Sequence, residues 1–89
     1  MPLISSFYGI LVYIYWLDNK HHNLPHIHVE YNGLEAAFSI NEASIIAGNF
    51  PPKQTRLVQA WIEIHKEELL ADWSLAIRGE PVFKIDQLR

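Results

Sequence analysis

Apolar and polar residues alternate most cleanly between His26 and Ile40. In His26-Ile27-His28-Val29-Glu30-Tyr31 the apolar set is Ile27, Val29 and Tyr31, and the polar set is His26, His28 and Glu30. Residues two apart share one face of a strand, so this stretch predicts a half-buried β-strand. Asn32-Gly33 follows, the pair favoured in a two-residue type I′ turn because both positions need φ > 0. A second strand from Leu34 to Ile40 carries Leu34, Ala36, Phe38 and Ile40 on one face. The turn sets Tyr31 opposite Leu34, Val29 opposite Ala36 and Ile27 opposite Phe38, so pattern and register agree.

Upstream, Phe7 to Leu17 is apolar on both faces. Phe7, Leu11, Tyr13, Tyr15 and Leu17 form one set, and Tyr8, Ile10, Val12, Ile14 and Trp16 the other. That predicts one long strand covered on both sides. Downstream, Ser44-Ile45-Ile46-Ala47 suits a short strand before Gly48. Pro51-Pro52 then opens a helix, since proline is tolerated where the first N–H groups lack partners. Val58, Ile62, His65, Leu69, Trp73 and Ala76 recur every three or four residues, with Leu57, Trp61 and Ile64 widening the stripe. Gly79 ends the helix and Pro81 prevents its resumption. From Lys53 to Arg78 it would measure about 39 Å at 1.5 Å per residue, which predicts a bend near Asp72 to Ser74. Val82-Phe83-Lys84-Ile85 predicts a last short strand. The fold class is α+β: a small antiparallel sheet, made of the β-hairpin and the long N-terminal strand, packed on one main C-terminal helix.

Length sets the scale. The chain has 89 residues, room for one domain over 1–89. Its 49% hydrophobic and 12% aromatic content excludes a disordered chain. The apolar run from Phe7 is about 11 residues, short of the ~18–20 that a membrane helix needs, and no basic residue precedes it as in a signal peptide. A soluble protein with no membrane partner is expected. Net charge is −3 with seven scattered basic residues, which argues against a nucleic-acid coat, although a limited RNA contact stays open. No cysteine is present, so disulfides and thiolate chemistry are excluded.

The chemistry-bearing feature is His26-x-His28. On one strand face the two imidazoles lie about 6.5–7 Å apart, a spacing that suits a divalent transition metal with His21, His22 or Glu30 as further ligands. Two imidazoles can also act as an acid–base pair in phosphodiester cleavage, with Glu30 or Glu35 assisting. The plainer alternative is a solvated face that tolerates histidine, with no cofactor and no catalytic residue. His65 sits on the apolar helix stripe, so a sheet separates it from the pair; it is read as a core-edge histidine with its ring hydrogen-bonded. Glu30 faces Glu35 across the hairpin, a like-charge pair that costs up to about 1 kcal/mol. One helix covers one sheet face, which leaves Tyr8, Ile10, Val12, Ile14 and Trp16 to be covered by the C-terminal segment or by another chain. Together with His26 and His28 these form the candidate partner surface.

Several segments belong together: Pro2-x-Ile4-Ser5-x-Phe7-Tyr8-Gly9-Ile10, Leu24-Pro25-His26-Ile27-His28-Val29, Leu57-Val58-x-x-Trp61 through His65-Lys66-Glu67-Glu68-Leu69-Leu70 to Trp73, and Arg78-Gly79-Glu80-Pro81. In this combination the chain resembles the small bacterial family called domain of unknown function 4160. The family's usual Pro-Pro-His-x-His-Val stands here as Leu24-Pro25-His26-Ile27-His28-Val29. The resemblance implies a cytoplasmic bacterial protein and assigns no nucleophile or metal ligand. It also implies a neighbouring gene for a small protein of domain of unknown function 2442, in an arrangement similar to two-gene toxin–antitoxin modules. The resulting expectation is a non-enzymatic interaction module whose partner is a second copy or that neighbour. The alternative is a small ribonuclease or metal-binding protein that uses His26 and His28.

Overall fold

A computed structural model describes residues 2–15 and 24–89. Trp16, Leu17, the polar connection through Asn23, and with it His21 and His22, lie outside the described residues. The fold is α+β, a five-stranded antiparallel sheet followed by two helices. The strands are β1 (Leu3–Phe7), β2 (Ile10–Tyr13), β3 (His26–Tyr31), β4 (Leu34–Ser39) and β5 (Ile45–Gly48), and they lie in the sheet in chain order. The helices are α1 (Pro52–Ile64) and α2 (Lys66–Ile77).

The β3–β4 hairpin has the register that its alternation predicts. Tyr31 pairs with Leu34, Val29 with Ala36 and Ile27 with Phe38, and Glu30 faces Glu35. Asn32 and Gly33 adopt φ of 47° and 79°, the left-handed pair of a type I′ turn. The short strand before Gly48 is also present, as β5.

The N-terminal half differs from the single long strand. Tyr8 and Gly9 take φ of 49° and 79° and fold the chain into a second hairpin, which pairs Phe7 with Ile10 and Ser6 with Leu11. A bulge between Leu3 and Ser5 shifts the register once more. The turn changes the parity of the whole segment: Phe7 now shares a face with Ile10 and Val12 and not with Leu11. Ile10, Val12 and Ile14 are fully buried, in one core with Ile27, Val29, Phe38, Val58, Trp61, Ile62 and Leu69. Phe7 packs on Trp61 with ring centroids 5.2 Å apart. Each such aliphatic side chain contributes about 1.5–3 kcal/mol by leaving water. The opposite face of β2 carries Leu11 and Tyr13, both half-buried.

The helix is also two helices and not one. Its interruption falls at His65 (φ −112°, ψ 22°) and not at Asp72 to Ser74. A straight helix over all these residues would be about 39 Å long, whereas the molecule's longest extent is 33 Å. The break shortens the rod to what the sheet can cover. His65 is also where a new N-terminus is favoured, because Glu67 and Glu68 place negative charge in the first turn of α2. Ile64, just before the break, leaves the stripe and is 65% exposed. Gly79 ends α2 as expected: its N–H donates to Ala76 and that of Glu80 to Leu75, the Schellman pattern, with Gly79 at φ 71°.

Val82 to Ile85 form no strand. The segment meets β1 at one point, where the Ile85 N–H donates to the Ile4 carbonyl at 2.8 Å. The Trp61 indole N–H donates to the Asp86 carbonyl at 2.7 Å. These two bonds tie the last residues over the core without extending the sheet.

Gly48 supplies the first testable point. It has φ 81°, and a Cβ there would lie 2.3 Å from the Glu35 carbonyl oxygen of β4. Gly48→Ala is expected to cost at least about 2 kcal/mol in urea unfolding, from the left-handed conformation and the backbone clash together. Gly33 has a similar φ and nothing within 4 Å of an added Cβ, so Gly33→Ala should cost less; equal losses would contradict the packing of β5 on β4.

Candidate functional site

β3 brings His26 and His28 together, with ring centroids 5.0 Å apart and rings nearly perpendicular. Strand alternation places both opposite Ile27 and Val29, as their spacing predicts. Their surroundings differ from a solvated face. His26 is fully buried, and its ring lies 5.0 Å from that of Trp73 on α2. Its Nδ1–H donates to the Leu24 carbonyl at 2.6 Å, which fixes the hydrogen on that nitrogen. His28 is half-buried and stacks on Tyr15, with centroids 4.0 Å apart and planes 7° from parallel. The candidate site is thus a cluster of Tyr15, His28, His26 and Trp73. It links the end of β2, the start of β3 and the middle of α2.

The cluster explains why His26 is interior although it occupies a polar position of the pattern. It is the first residue of β3, at the end of the sheet, where Trp73 closes over it. The alternation rule assigns a face; it does not say which other element reaches round the strand end. Trp73 was expected on the apolar stripe, and Tyr15 on the face with Leu11 and Tyr13. Two aromatics beside a histidine pair were the available signal, and only the helix break and the β1–β2 turn bring them together.

The other candidate residues are spread over the molecule. Tyr8 is 60% exposed at the first turn. Ile10, Val12 and Ile14 belong to the core, so the proposed partner stripe does not exist as a surface, and Trp16 lies outside the described residues. Glu30 is half-buried opposite Leu11 and Glu35, and its carboxylate makes no hydrogen bond or ion pair among the described residues. His65 is away from the pair; its ring bonds the Glu68 carboxylate at 2.6 Å and sits 5.6 Å from that of Trp61, the core-edge role expected of it. Among the described residues no three His, Cys, Asp or Glu side chains converge as a metal site. The bond to the Leu24 carbonyl commits the His26 Nδ1 and its hydrogen to the backbone.

Asp72 is a titratable residue that the pattern did not single out. It is 2% exposed. Its Oδ1 accepts the Phe83 N–H at 3.0 Å, whereas Oδ2 has no hydrogen-bond partner among the described residues. Burial pushes its carboxyl above the usual aspartate range; the Phe83 N–H opposes the shift and the Glu68 charge adds to it. The carboxylate therefore anchors the C-terminal segment while carrying a desolvation cost.

The fold and this cluster define a class before they define a function: a one-sided α+β module with a histidine–aromatic cluster at one end of its sheet. The family model described as Domain of unknown function (DUF4160) matches residues 9–74, which take in β2 to β5, both histidines, Trp73 and nearly all of the helical region. The chain belongs to that family. Comparison with curated proteins and with solved structures gives no match. Among the described residues, no helix is long and apolar enough to cross a membrane.

Two variants test this geometry. His26→Ala should lose about 2–4 kcal/mol in urea unfolding, from the cavity against Trp73 and the stranded Leu24 carbonyl. His28→Ala, at a half-buried position, should lose less; the reverse order would contradict the placement of His26. For Asp72, a folded pKa above the unfolded one means that its favourable share of stability is complete at low pH. That share is lost as pH rises from the ordinary aspartate value through the raised one. Asp72→Asn keeps an acceptor for Phe83 and removes the buried charge, so it should flatten this fall in thermal midpoint and raise the midpoint at neutral pH. An unchanged pH profile would contradict the assignment.

Proposed function

We propose that the chain is a non-enzymatic interaction module and that its partner packs on the sheet face turned away from the helices. The observation that supports this reading is the row Leu3, Leu11 and Tyr13 on that face. Leu3 is paired with Tyr13, and Leu11 with Ser6 and Glu30. Leu3 is 38% exposed, and Leu11 and Tyr13 are half-buried, so an apolar strip stays partly in water. The helices and the C-terminal segment are already engaged with the other face. A partner that covers the strip would gain about 25 cal/mol for each Å² of apolar surface removed from water.

This keeps the expected role and exchanges the surface: the residues that contact a partner are those between Ile10, Val12 and Ile14, and not those three. The partner that the family resemblance suggests is a small protein of the domain of unknown function 2442 kind, expected from a neighbouring gene in an arrangement resembling toxin–antitoxin pairs, inside a bacterial cytoplasm. The ribonuclease alternative needs His26 and His28 to act together on a substrate. The interior position of His26 and its bond to Leu24 count in favour of the binding role.

Size-exclusion chromatography with light scattering, on the chain alone and mixed with the neighbouring gene product, tests the proposal. The mixture should elute as one complex. Leu11→Glu with Tyr13→Glu should abolish that complex while the circular dichroism spectrum is kept, because a charge in an apolar interface costs several kcal/mol, on the order of 2–5. A monomer that ignores the neighbour, or a complex that survives both substitutions, would reject the surface.

A further inference from the structure

The other end of the sheet holds a cleft that neither the histidine cluster nor the outer face uses. It has a volume of about 460 Å³ and lies between the β1–β2 turn, the end of β3, the first turns of α1 and the C-terminal segment. Tyr31, in its wall, is at the opposite end of β3 from His26, about 17 Å away at 3.3 Å per residue. We propose that this cleft binds a nucleoside monophosphate, with the base against Tyr8 and Tyr31 and the phosphate on Lys53 and Arg89.

Tyr8 is the first reason. It occupies the first position of a tight turn at φ 49°, a conformation that bulky residues avoid. Asn32 occupies the same position of the second hairpin at φ 47°. That hairpin fills the position with Asn; the turn at the cleft carries a strained tyrosine that is 60% exposed and lines the cavity. Strain retained at an exposed aromatic beside a cavity points to use of the ring.

The walls supply the second reason. The turn rests beside the Tyr31 ring: a Cβ on Gly9 would meet Tyr31 Cε1 at 3.4 Å, an ordinary contact distance, and it is the φ of 79° that calls for glycine there. That ring is braced edge-on by Phe50 at 6.3 Å, and Phe50 in turn by the buried Phe38 at 6.1 Å. One tyrosine is thus fixed and the other projects beside it, with Leu57 and Leu88 adding apolar surface. A flat ring suits such a wall.

Charge supplies the third. Lys53 and Arg89 line the cleft, and among the described residues neither forms an ion pair and no Asp or Glu side chain lines it. In a chain with ten acidic and seven basic residues, two unpaired cations beside an aromatic wall form a local exception. A phosphate monoester carries about −1.5 to −2 charge near neutral pH and matches two cations better than a single carboxylate does.

Calorimetric titration of the intact chain with the four common nucleoside monophosphates, their parent nucleosides and inorganic phosphate tests the assignment. At least one nucleotide should bind about tenfold or more tightly than both its nucleoside and inorganic phosphate. Lys53→Gln should weaken it, and raised salt should do the same. Tyr8→Asn should lower nucleotide affinity about tenfold, as loss of one stacking ring does, yet raise the thermal midpoint, because asparagine suits the turn. That opposed pair of effects separates a binding ring from a structural one. Nucleotides no tighter than inorganic phosphate, an affinity indifferent to Tyr8→Asn, or a midpoint lowered by it would each overturn the inference. The partner titration reads a different surface, so its outcome does not decide this one.

Discussion

Everything in this molecule depends on the parity set by two tight turns. A strand has two faces, and a one-residue change in pairing exchanges them. The turns at Tyr8-Gly9 and Asn32-Gly33 lock Phe7 to Ile10 and Tyr31 to Leu34. With both fixed, Ile10, Val12, Ile14, Ile27, Val29 and Phe38 fall on one side and form a continuous apolar bed. The two helices cover that bed with Val58, Trp61, Ile62 and Leu69. The outward row of Leu3, Leu11 and Tyr13 is the other half of the same constraint.

Two polar groups inside the fold are then explained by what they hold in place. His26 is admitted to the interior because its Nδ1–H finds the Leu24 carbonyl and its ring finds Trp73. Asp72 is admitted because one oxygen holds Phe83 and, through it, the segment that reaches Trp61 and Ile4. Each joins elements distant in sequence, β3 to α2 and α2 to the C-terminal segment. His26 is accordingly a joint between β3 and α2, and the surfaces proposed for binding are the sheet's outer face and the cleft at Tyr8.

The β3–β4 hairpin was legible because alternation and Asn-Gly point to the same register, and the end of α2 because glycine there meets a backbone requirement. The β1–β2 turn was not legible: Tyr8-Gly9 sits inside an unbroken apolar run, and tyrosine is a poor marker of a left-handed position. Missing it inverted the faces of β2 and turned core residues Ile10, Val12 and Ile14 into a surface. The helix break was legible as a length problem but was placed at Asp72 to Ser74; the acidic pair that follows His65 marked the true site. The burial of His26 was not legible at all, since no local pattern reveals that Trp73 closes over the strand end. Single bonds such as Ile85 to Ile4 lie below what periodicity can show.

The central claim is the inward and outward assignment along β2. The chain has no cysteine, so single cysteines at Leu11, Val12 and Tyr13 can be compared by their rates of labelling with a thiol reagent under native conditions. The account predicts faster labelling at Leu11 and Tyr13 than at Val12, where reaction must wait for unfolding. The opposite alternation, or equal rates at all three, would contradict it.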